Sequence, residues 1–424
     1  MATGWNRDGC VPAVQDTSGC SSAANDRRCP NQQTQITKLQ PDEQVLRASQ
    51  EGDWAQPCHT NLKRQDRLPT DPPVYVLDTD EIGEIDFALE DFKCYGLDGD
   101  CVNRSNFGLP RLQHRLQDLS HELHRGRGVC ILRGLKCEDY STEDGVLIFL
   151  AISDYIGGRR GRQNDEGLML SHITEMKRSK VPREARHVTQ TNASMWFHND
   201  DACDILALQT RCAAASGGKT MIASSSLVLG ALFEARPDVL DLLKEPNWPV
   251  VVFVEEFPAM RLMLTLFRQK SESKNPRYSL RPLLFHEHGY DLLNFDPGRV
   301  NSRLHGGSGI PGVPRLTDVQ EEALEILLAT ARKYEIEVSL QSGDLLYINN
   351  FAHLHARQAF RNDDSTNRHL VRLWLRNDEI GWHVPHLLRS SWDAIFGFRE
   401  DLEELYPIEP PPLYCPPIYA FPSN

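Results

Sequence analysis

The stretch that decides the fold is Trp-Phe-His-Asn-Asp-Asp at positions 196–201. In an extended strand, successive side chains point to opposite faces, so residues two apart share a face. His198 and Asp200 are therefore placed to present an imidazole nitrogen and a carboxylate oxygen to one metal ion. A His-x-Asp tripeptide alone is a weak signal, and the ordinary alternative is a surface turn. One further histidine would complete the 2-His-1-carboxylate arrangement that leaves open positions on Fe(II).

Candidates for that third ligand lie far downstream. The stretch Gly-Asp-Leu-Leu-Tyr-Ile-Asn-Asn at 343–350 ends in a polar turn, and His-Leu-His-Ala-Arg follows at 353–357. His353 and His355 would share one face of a strand, so either imidazole is placed to join the first two ligands. The spacing alone leaves both histidines open.

A third stretch, Arg-His-Leu-Val-Arg-Leu-Trp-Leu at 368–375, reads as a strand that places two arginines, Arg368 and Arg372, on the same face. Guanidinium groups that face a protein interior need anionic partners, because an unpaired buried charge is costly. A carboxylate suits the guanidinium fork, since the two make parallel hydrogen bonds. For Arg372 the carboxylate belongs either to a small substrate or to the protein itself.

Composition narrows the class of protein. The chain has 424 residues, of which 40% are hydrophobic and 25% charged, as in an ordinary globular protein with one large domain or two smaller ones. The formal net charge of −13 argues against partners such as nucleic acid or anionic lipid. No apolar run approaches the roughly 20 residues of a membrane helix. The partner indicated is a small molecule, and the sequence does not reveal the oligomeric state.

Cysteine usage and the two ends of the chain suggest a compartment and a domain layout. The N-terminus lacks the layout of a secretory signal, and the 11 cysteines include no Cys-x-x-Cys pair. We therefore expect reduced, mostly structural thiols in a cytoplasmic protein. Residues 1–68 are polar and are expected to form a disordered or loosely attached tail. Residues 69–405 are expected to form the main domain, followed by a proline-rich tail at 406–424.

Periodicity predicts the elements of the main domain. Leucines at helical spacing predict a helix from Leu112 to the glycines at 126 and 128, and the capping box Thr317-Asp-Val-Gln320 opens another that runs to Tyr334. Further helices are expected at 141–156, after 224–226 and from Pro237. Strands are expected at 129–133, 220–223, 336–340, 345–348 and 370–375, and a loop or lid at 157–186. This pattern is typical of a mainly β protein with flanking helices, in the α+β class, and it favours a β-sandwich or jelly roll.

Six motifs occur together in the order that one family shows. They are Phe197-His198-x-Asp200, Gly217-Gly218-Lys219-Thr220, Gly343-Asp344, Asn349-Asn350, Leu354-His355-x-Arg357 and Arg368-His369-Leu370-Val371-Arg372. In this respect the chain resembles the taurine dioxygenase/2,4-dichlorophenoxyacetate dioxygenase family of Fe(II)- and 2-oxoglutarate-dependent oxygenases. The similarity runs from Phe107 to Leu375. Any single motif is weak, whereas the ordered set is a strong signal.

The resemblance implies a double-stranded β-helix core with His198, Asp200 and His355 as the iron ligands, and it prefers His355 to His353. Three ligands on one face leave two positions for 2-oxoglutarate and one for O2. The resemblance assigns Arg368 to the distal carboxylate of 2-oxoglutarate, with the hydroxyl of Thr220 as a helper. It also suggests that Arg372 binds an acid group of the substrate. Because the family's halogenases lack the carboxylate, Asp200 favours oxygenation.

The expected function is oxidation of a small carboxylate-bearing metabolite, such as an amino acid, by hydroxylation, desaturation or ring closure, with release of succinate and CO2. Two alternatives are a non-catalytic jelly-roll protein with a binding or regulatory role and a zinc hydrolase that uses the same ligands. Asp201 and Asp204 are weaker candidates for contact with a substrate ammonium, and turn carboxylates are the simpler interpretation. Trp196 and Phe197 are expected in the core.

Overall fold

The computed structural model describes residues 72–164, 166–177, 186–251, 278–305, 309–310 and 312–410. The tail expected at 1–68 and positions 411–424 of the proline-rich tail lie outside these ranges. The helices of eight or more residues are α1 (Thr79–Cys94), α2 (Leu112–Arg125), α3 (Thr142–Ile156), α4 (Ser225–Ala235), α5 (Pro237–Lys244), α6 (Asp318–Lys333) and α7 (Arg389–Phe396). The strands are β1 (Val74–Val76), β2 (Val129–Arg133), β3 (Arg159–Gly161), β4 (Leu170–Thr174), β5 (Met195–His198), β6 (Ile205–Cys212), β7 (Ser216–Gly217), β8 (Thr220–Ser224), β9 (Trp248–Val251), β10 (Tyr278–Arg281), β11 (Leu284–Glu287), β12 (Tyr290–Leu293), β13 (Glu335–Val338), β14 (Leu345–Asn349), β15 (His353–Arg357), β16 (Phe360–Arg361) and β17 (His369–Arg376).

Two sheets face each other and form a jelly roll. The large sheet has the order β1-β2-β14-β6-β17, and β17 pairs on its far side with both β3 and β4. The small sheet has the order β13-β8-β15-β5. Apolar side chains of both sheets, including Ile222 of β8 and Leu346 of β14, meet in one buried cluster between them. This arrangement confirms the expected mainly β fold with flanking helices and a jelly-roll core.

Helices cover the outer face of each sheet. Successive side chains of a strand point to opposite faces, so each sheet packs on the other sheet with one face and on the helices with the other. Leucines at helical spacing on α2 are fully buried, and with α1 and α3 they pack on the outer face of the large sheet. Helices α4, α5 and α6 cover the small sheet in the same way. The predicted capping box of α6 is present: the Thr317 side chain accepts from Gln320 N–H, and the Gln320 side chain accepts from Thr317 N–H.

The loop expected at 157–186 is wrong in part, because it contains β3 and β4. The residues Leu170–Thr174 are all buried, and β4 pairs with β17 from Leu170↔Leu373 to Thr174↔His369. These strands are short and are flanked by glycines and basic residues, so they show no clear periodicity of their own. Pairing with a partner strand is what makes them part of the sheet. Residues 165 and 178–185 of this segment lie outside the described ranges.

The C-terminal end of the domain extends beyond the boundary expected at residue 405. Tyr406, which the sequence placed in the tail, is buried in the core, and the Ile408 carbonyl accepts a hydrogen bond from Arg211.

Of the described cysteines, Cys101 is disulfide-bonded, so the expectation of reduced thiols is wrong there. The other five described cysteines are free thiols, as expected. Within the described ranges, no helix combines the length and apolar character needed to cross a membrane.

The turn before β14 is tied to the end of β2, its neighbour in the large sheet. Asp344, fully buried, accepts two hydrogen bonds from Arg133, from Nε at 2.8 Å and from Nη2 at 2.7 Å. Gly343 makes this approach possible with a φ of +93°, a conformation that L side chains rarely adopt. A Cβ atom at this position would collide with the carbonyl oxygen of Leu135.

We predict that Gly343→Ala lowers the free energy of unfolding by roughly 2–3 kcal/mol, because it combines backbone strain with a steric collision. Gly83→Ala is the matched control, since Gly83 lies in α1 with open space around its Cα. That change should leave stability unchanged or raise it by up to about 1 kcal/mol. Urea unfolding followed by circular dichroism measures both. Equal stabilities of the two variants would contradict the strain at Gly343.

Candidate metal centre

The two histidines of the centre face each other across neighbouring strands. In the antiparallel pair β5–β15, His355 lies directly opposite His198, and the ring centroids are 4.2 Å apart. Such cross-strand neighbours hold their side chains at a fixed separation because the hydrogen-bond ladder sets the register. Two positions 157 residues apart in sequence therefore meet because two short strands pair.

Asp200 completes the group just after β5. Its Oδ1 atom lies 3.6 Å from Nε2 of His198 and 3.7 Å from Nε2 of His355. The potential ligand atoms of the three residues all lie within 4.8 Å of one another, and all three residues are buried. Two imidazole nitrogens and one carboxylate oxygen on one side of a cavity fit the donor set that binds Fe(II) and leaves positions open. His353 is not part of this group; its ring packs beside Gly128 and Ala352.

Neighbouring groups orient these donors. Nδ1 of His198 lies 2.8 Å from the Trp196 carbonyl oxygen and donates to it, so the Nε2 lone pair faces Asp200. Asn350 holds the backbone of Asp200 from both sides: its Oδ1 accepts from Asp200 N–H at 2.9 Å, and its Nδ2 donates to the Asp200 carbonyl at 2.7 Å. Asn349 satisfies a backbone group of the same turn, since its Oδ1 accepts from Phe351 N–H at 3.1 Å.

The second oxygen of Asp200 is held by two donors from β17. The indole Nε1 of Trp374 donates to Oδ2 at 2.6 Å, and Nη1 of Arg372 donates to the same atom at 3.1 Å. Nε of Arg372 in turn donates to Gln163 at 2.7 Å. Asp200 is therefore fixed with Oδ1 turned toward the histidines and Oδ2 turned away from them. Of the two partners open for Arg372, the structure places it on a protein carboxylate.

The charge states suit metal binding. Burial by itself would raise the pKa of Asp200, but Arg372 and the two imidazoles hold that pKa well below its usual range, so the carboxylate is ionised. Burial, together with the nearby His198, lowers the pKa of His355 to about 3, so this imidazole is neutral. Burial opposes protonation of His198 too, yet hydrogen bonding to Asp200 raises its pKa. An ionised acid beside a neutral imidazole is what a divalent cation requires.

A pair of buried arginines lies near the metal centre, one of them on β15 two residues after His355. Arg357 and Arg368 are each about 95% buried, and both stack on Phe360, with Cζ atoms 5.1 and 5.3 Å from the ring centroid. Nε and Nη1 of Arg357 and Nη1 of Arg368 have no partner among the described residues. Burial lowers the pKa of Arg357 to about 9, with Arg368 adding to the effect, and burial lowers that of Arg368 to about 10. Two buried cations with no anion mark a site for one.

Each of these arginines is also anchored by backbone carbonyls. Nη2 of Arg357 donates to the carbonyls of Val188 and Thr191, and Nε of Arg368 donates to that of Gly218 at 3.2 Å. Thr220 lies directly opposite Arg357 in the β8–β15 pair and is buried. The residues assigned to the distal carboxylate by resemblance, Arg368 and Thr220, therefore lie around one site together with Arg357.

The structure also decides the weaker candidates. Asp201 is paired with Arg281 at 3.0 Å and Arg299 at 2.8 Å, and Asp204 with Arg376 at 2.6 Å, so both acids have structural partners. Phe197 lies in the core as expected, whereas Trp196 does not. The Trp196 ring is 45% exposed and stacks under the guanidinium of Arg332.

Sequence analysis missed three residues of the site: Trp374, Gln163 and His187. Trp374 shares a face with Arg372 by the period of two, which could have indicated its role. Gln163 had no signal, since it lies in the segment expected to be a loop. Burial, with Arg372 and His198 nearby, lowers the pKa of His187 to about 3, and its ring is fixed by a 2.6 Å contact between Nδ1 and the Thr189 hydroxyl. The charges of Arg372 and His198 thus act on His187, which is why it is grouped with the site.

We predict that Trp374→Phe weakens Fe(II) binding by roughly 10- to 100-fold, because Asp200 loses a hydrogen bond that fixes its orientation. Trp392→Phe is the matched control, since it removes an indole donor from the buried Asp204 instead. Equilibrium dialysis of Fe(II) under anaerobic conditions measures both affinities. Equal affinities in the two variants would show that the Trp374 contact does not position the carboxylate.

The chain is similar to known proteins in sequence and in fold. The chain is 32% identical over 345 residues to the taurine hydroxylase-like protein SAT17 of Stachybotrys chartarum, covering 78% of this chain and 82% of that protein. It shares the fold of asparagine oxygenase, solved with Fe(II), 2S,3S-3-hydroxyasparagine and succinate (TM-score 0.54, 15% identity, 73% of this chain and 98% of that one). It also shares the fold of the non-heme iron oxygenase OrfP, solved with Fe, succinate and (3R,4R)-dihydroxy-L-Arg (TM-score 0.51, 19% identity, 72% and 95%).

The family model matches a long part of the chain. The model described as "Taurine catabolism dioxygenase TauD, TfdA family" matches residues 95–374, which include the three residues of the metal centre and the two buried arginines. The match and the 32% identical relative agree with the jelly roll and with the resemblance noted from the motifs. The chain belongs to the taurine catabolism dioxygenase TauD, TfdA family.

Proposed function

We propose that this protein uses Fe(II), 2-oxoglutarate and O2 to hydroxylate a small amino-acid-like carboxylic acid. The observation that carries the proposal is the pairing of two neighbouring sites, a buried His-Asp-His group and a buried pair of arginines with no anion among the described residues. Strand β15 links the two sites, because it carries both His355 and Arg357. A metal alone would explain the first site, and an anion alone the second. A co-substrate that is both a chelator and a carboxylate explains both together.

The metal site is assigned to His198, Asp200 and His355. Fe(II) bound there couples the oxidative decarboxylation of 2-oxoglutarate, which yields succinate and CO2, to oxidation of the substrate. The chain's own contribution is to keep one carboxylate oxygen toward the ion and the other on Trp374 and Arg372. This arrangement favours binding of the metal through one oxygen of Asp200, which leaves more of the ion open to the co-substrate.

The distal carboxylate of 2-oxoglutarate is assigned to Arg368, with Thr220 and Arg357 beside it. Arginine suits this role because its fork binds a carboxylate through two parallel hydrogen bonds. The unpartnered N–H groups of Arg357 and Arg368 would gain their missing acceptors when the anion binds, which offsets the cost of burying two cations. We expect Arg368 to carry most of the affinity, since it is the arginine that the family resemblance assigns to the distal carboxylate.

The substrate class follows from which charged side chains near the metal centre are free to bind a substrate. Asp201 and Asp204 are already paired with arginines, so they are not available to a substrate ammonium. Arg372 keeps Nη2 for a substrate acid, because only its Nε and Nη1 have hydrogen-bond partners among the described residues. The structural neighbours were solved with hydroxylated asparagine and arginine. We therefore favour hydroxylation of an amino acid or a close analogue over desaturation or ring closure.

A cytoplasmic location and the absence of nucleic-acid and membrane partners stay predictions. The five free thiols fit a reducing compartment, whereas the disulfide at Cys101 does not. Fractionation of cells that produce the full chain would settle the location.

We predict that the protein with Fe(II), under anaerobic conditions, develops a weak metal-to-ligand charge-transfer band when 2-oxoglutarate is added. His198→Ala should abolish the band because the ion loses a ligand. Arg368→Gln should raise the 2-oxoglutarate concentration at half-saturation by about 100-fold and Arg357→Gln by about tenfold, since each loses charge-assisted hydrogen bonds. Optical titration gives all of these values.

Arg332→Gln is the matched control for these arginine variants, because Arg332 stacks on Trp196 and is exposed. It should titrate like the unmodified protein. A second control uses 2-oxobutyrate, which lacks the distal carboxylate and should bind the Arg368→Gln variant as weakly as the parent. A band that persists in His198→Ala, or an unchanged half-saturation in Arg368→Gln, would contradict the assignments.

We predict that a succinate-coupled screen of amino acids and related acids finds a substrate whose product gains one oxygen atom by mass spectrometry. The decarboxylated analogue of that substrate should give no coupled succinate, because it offers no acid group to Arg372. Oxygen should be consumed in step with succinate. A product that has lost two hydrogens without gaining oxygen would replace hydroxylation by desaturation or ring closure, and turnover without O2 would favour a hydrolase.

A further inference from the structure

A second group of potential metal ligands lies on the surface, outside the cavity described above. It consists of Glu287 at the end of β11, His288 in the turn to β12, and His383 in the segment after β17. Their potential ligand atoms all lie within 4.8 Å of one another. Within the described ranges, this group and the His198 group are the two clusters that meet this condition. The proposed oxygenase chemistry uses none of its members.

The geometry of the group is that of two imidazoles around one carboxylate. Oε1 of Glu287 lies 2.8 Å from Nδ1 of His383 and 3.7 Å from Nε2 of His288. The two imidazole rings are 4.4 Å apart between centroids, tilted by 52°. Two nitrogens and one oxygen at such separations can reach a single ion at the bond lengths of about 2.0–2.2 Å that Zn²⁺ adopts.

The fold holds the two segments of the group together without a metal. Glu287 and Tyr290 are cross-strand neighbours in the β11–β12 hairpin, so they lie on the same face of it. Tyr290 stacks on Trp382 at 4.3 Å between ring centroids, and this stacking brings His383 over Glu287. The site is thus supported by an aromatic contact beside it, and its ligands come from a hairpin and from a distant segment.

The backbone at His288 is unusual. Its φ is +49°, and among the described residues other than glycine it is the one with a positive φ. Gly289 follows with a φ of +82°, so the two residues form the tight turn between β11 and β12. Asn, Asp or Gly is the common choice at such a position. A histidine there places an imidazole above the end of the hairpin, next to the carboxylate.

The sequence supports the same interpretation. His286-Glu287-His288 and His383-Val-Pro-His386 contain four of the 15 histidines of the chain in two short runs. The structure brings these runs together at the Glu287–His383 contact. Two of these four imidazoles, those of His288 and His383, lie beside the Glu287 carboxylate, a ligand set typical of sites for Zn²⁺ and similar borderline ions.

We propose that Glu287, His288 and His383 bind a divalent transition-metal ion such as Zn²⁺, which links the β11–β12 hairpin to the segment that follows β17. The fourth position of the ion is open to water, as the group supplies three protein ligands.

One neighbour opposes the metal. Nη2 of Arg389 lies 3.3 Å from Nε2 of His383 and donates to it, so without a metal the proton of this imidazole is on Nδ1. Binding of the ion at Nδ1 moves that proton to Nε2 and releases Arg389. Both the displaced contact and the positive charge of the guanidinium reduce the affinity. Removal of Arg389 should therefore strengthen the site, a result that a purely structural cluster would not give.

Zinc binding to the full chain tests the proposal. The background variant carries His198→Ala and His355→Ala, so that the His198–Asp200–His355 group no longer competes for Zn²⁺. Equilibrium dialysis against ZnCl2 should find one ion at the surface group in this background. Adding His383→Ala or Glu287→Gln should weaken that ion by about tenfold or more, because a ligand is lost. Adding Arg389→Gln should tighten it several-fold.

His286→Ala is the matched control, since His286 lies on the opposite face of the hairpin, paired with Asp291 at 2.9 Å. It should leave zinc binding unchanged. Zinc held elsewhere, for example by cysteines, is present equally in all variants and cancels in the comparison. Glu287→Gln keeps the shape of the side chain, so it covers the case in which His383→Ala fails to fold.

Unchanged zinc binding in the folded His383→Ala and Glu287→Gln backgrounds would overturn the proposal, as would equal losses in His286→Ala. This result is independent of the oxygenase assignment. With the cavity ligands intact, His383→Ala should still develop the charge-transfer band with Fe(II) and 2-oxoglutarate. Loss of the band in the parent protein would count against the oxygenase and leave the surface site standing.

Discussion

The contact on which the rest of the structure depends is the one between the two oxygens of Asp200 and the two sheets. One oxygen faces His198 and His355, which belong to the small sheet. The other accepts from Trp374 and Arg372 on β17, an interior strand of the large sheet. The carboxylate therefore links the faces of the jelly roll at the point where the chemistry takes place. A shift of one sheet relative to the other would turn the carboxylate and change the metal geometry.

Arg357 and Arg368 are the second feature on which the site depends. Burial of a guanidinium without an acceptor is unfavourable, and both side chains are buried with N–H groups that have no acceptor among the described residues. The protein tolerates this because backbone carbonyls satisfy part of each group, from 188–193 for Arg357 and from Gly218 for Arg368. The N–H groups that are left over have no partner among the described residues. The fold thus buries N–H donors of two cations without acceptors. A dicarboxylate co-substrate can supply those acceptors, and an apolar molecule cannot.

The sequence allowed prediction of those elements whose signal is contained in one segment. The leucine spacing of α2, the capping box of α6 and the apolar run of β2 each depend on local periodicity, and all three were correct. Strands β3 and β4 could not be predicted, because they are short and gain their stability from pairing with β17. The His-x-Asp motif indicated two ligands of the centre, and the family resemblance chose His355 over His353 as the third. The partner of Arg372 depended on a contact across 172 residues, which spacing does not reveal.

Strand β17 lies in the interior of the large sheet although it is the last strand in the described ranges, and three others pair with it. On the ribosome, β6, β3 and β4 emerge well before their partner and expose unpaired edges until residue 376 has been made. Edges of this kind attract other chains. The large sheet can therefore close only late in synthesis, so conditions that keep the exposed edges from other chains, such as low temperature or a chaperone, favour the folded protein.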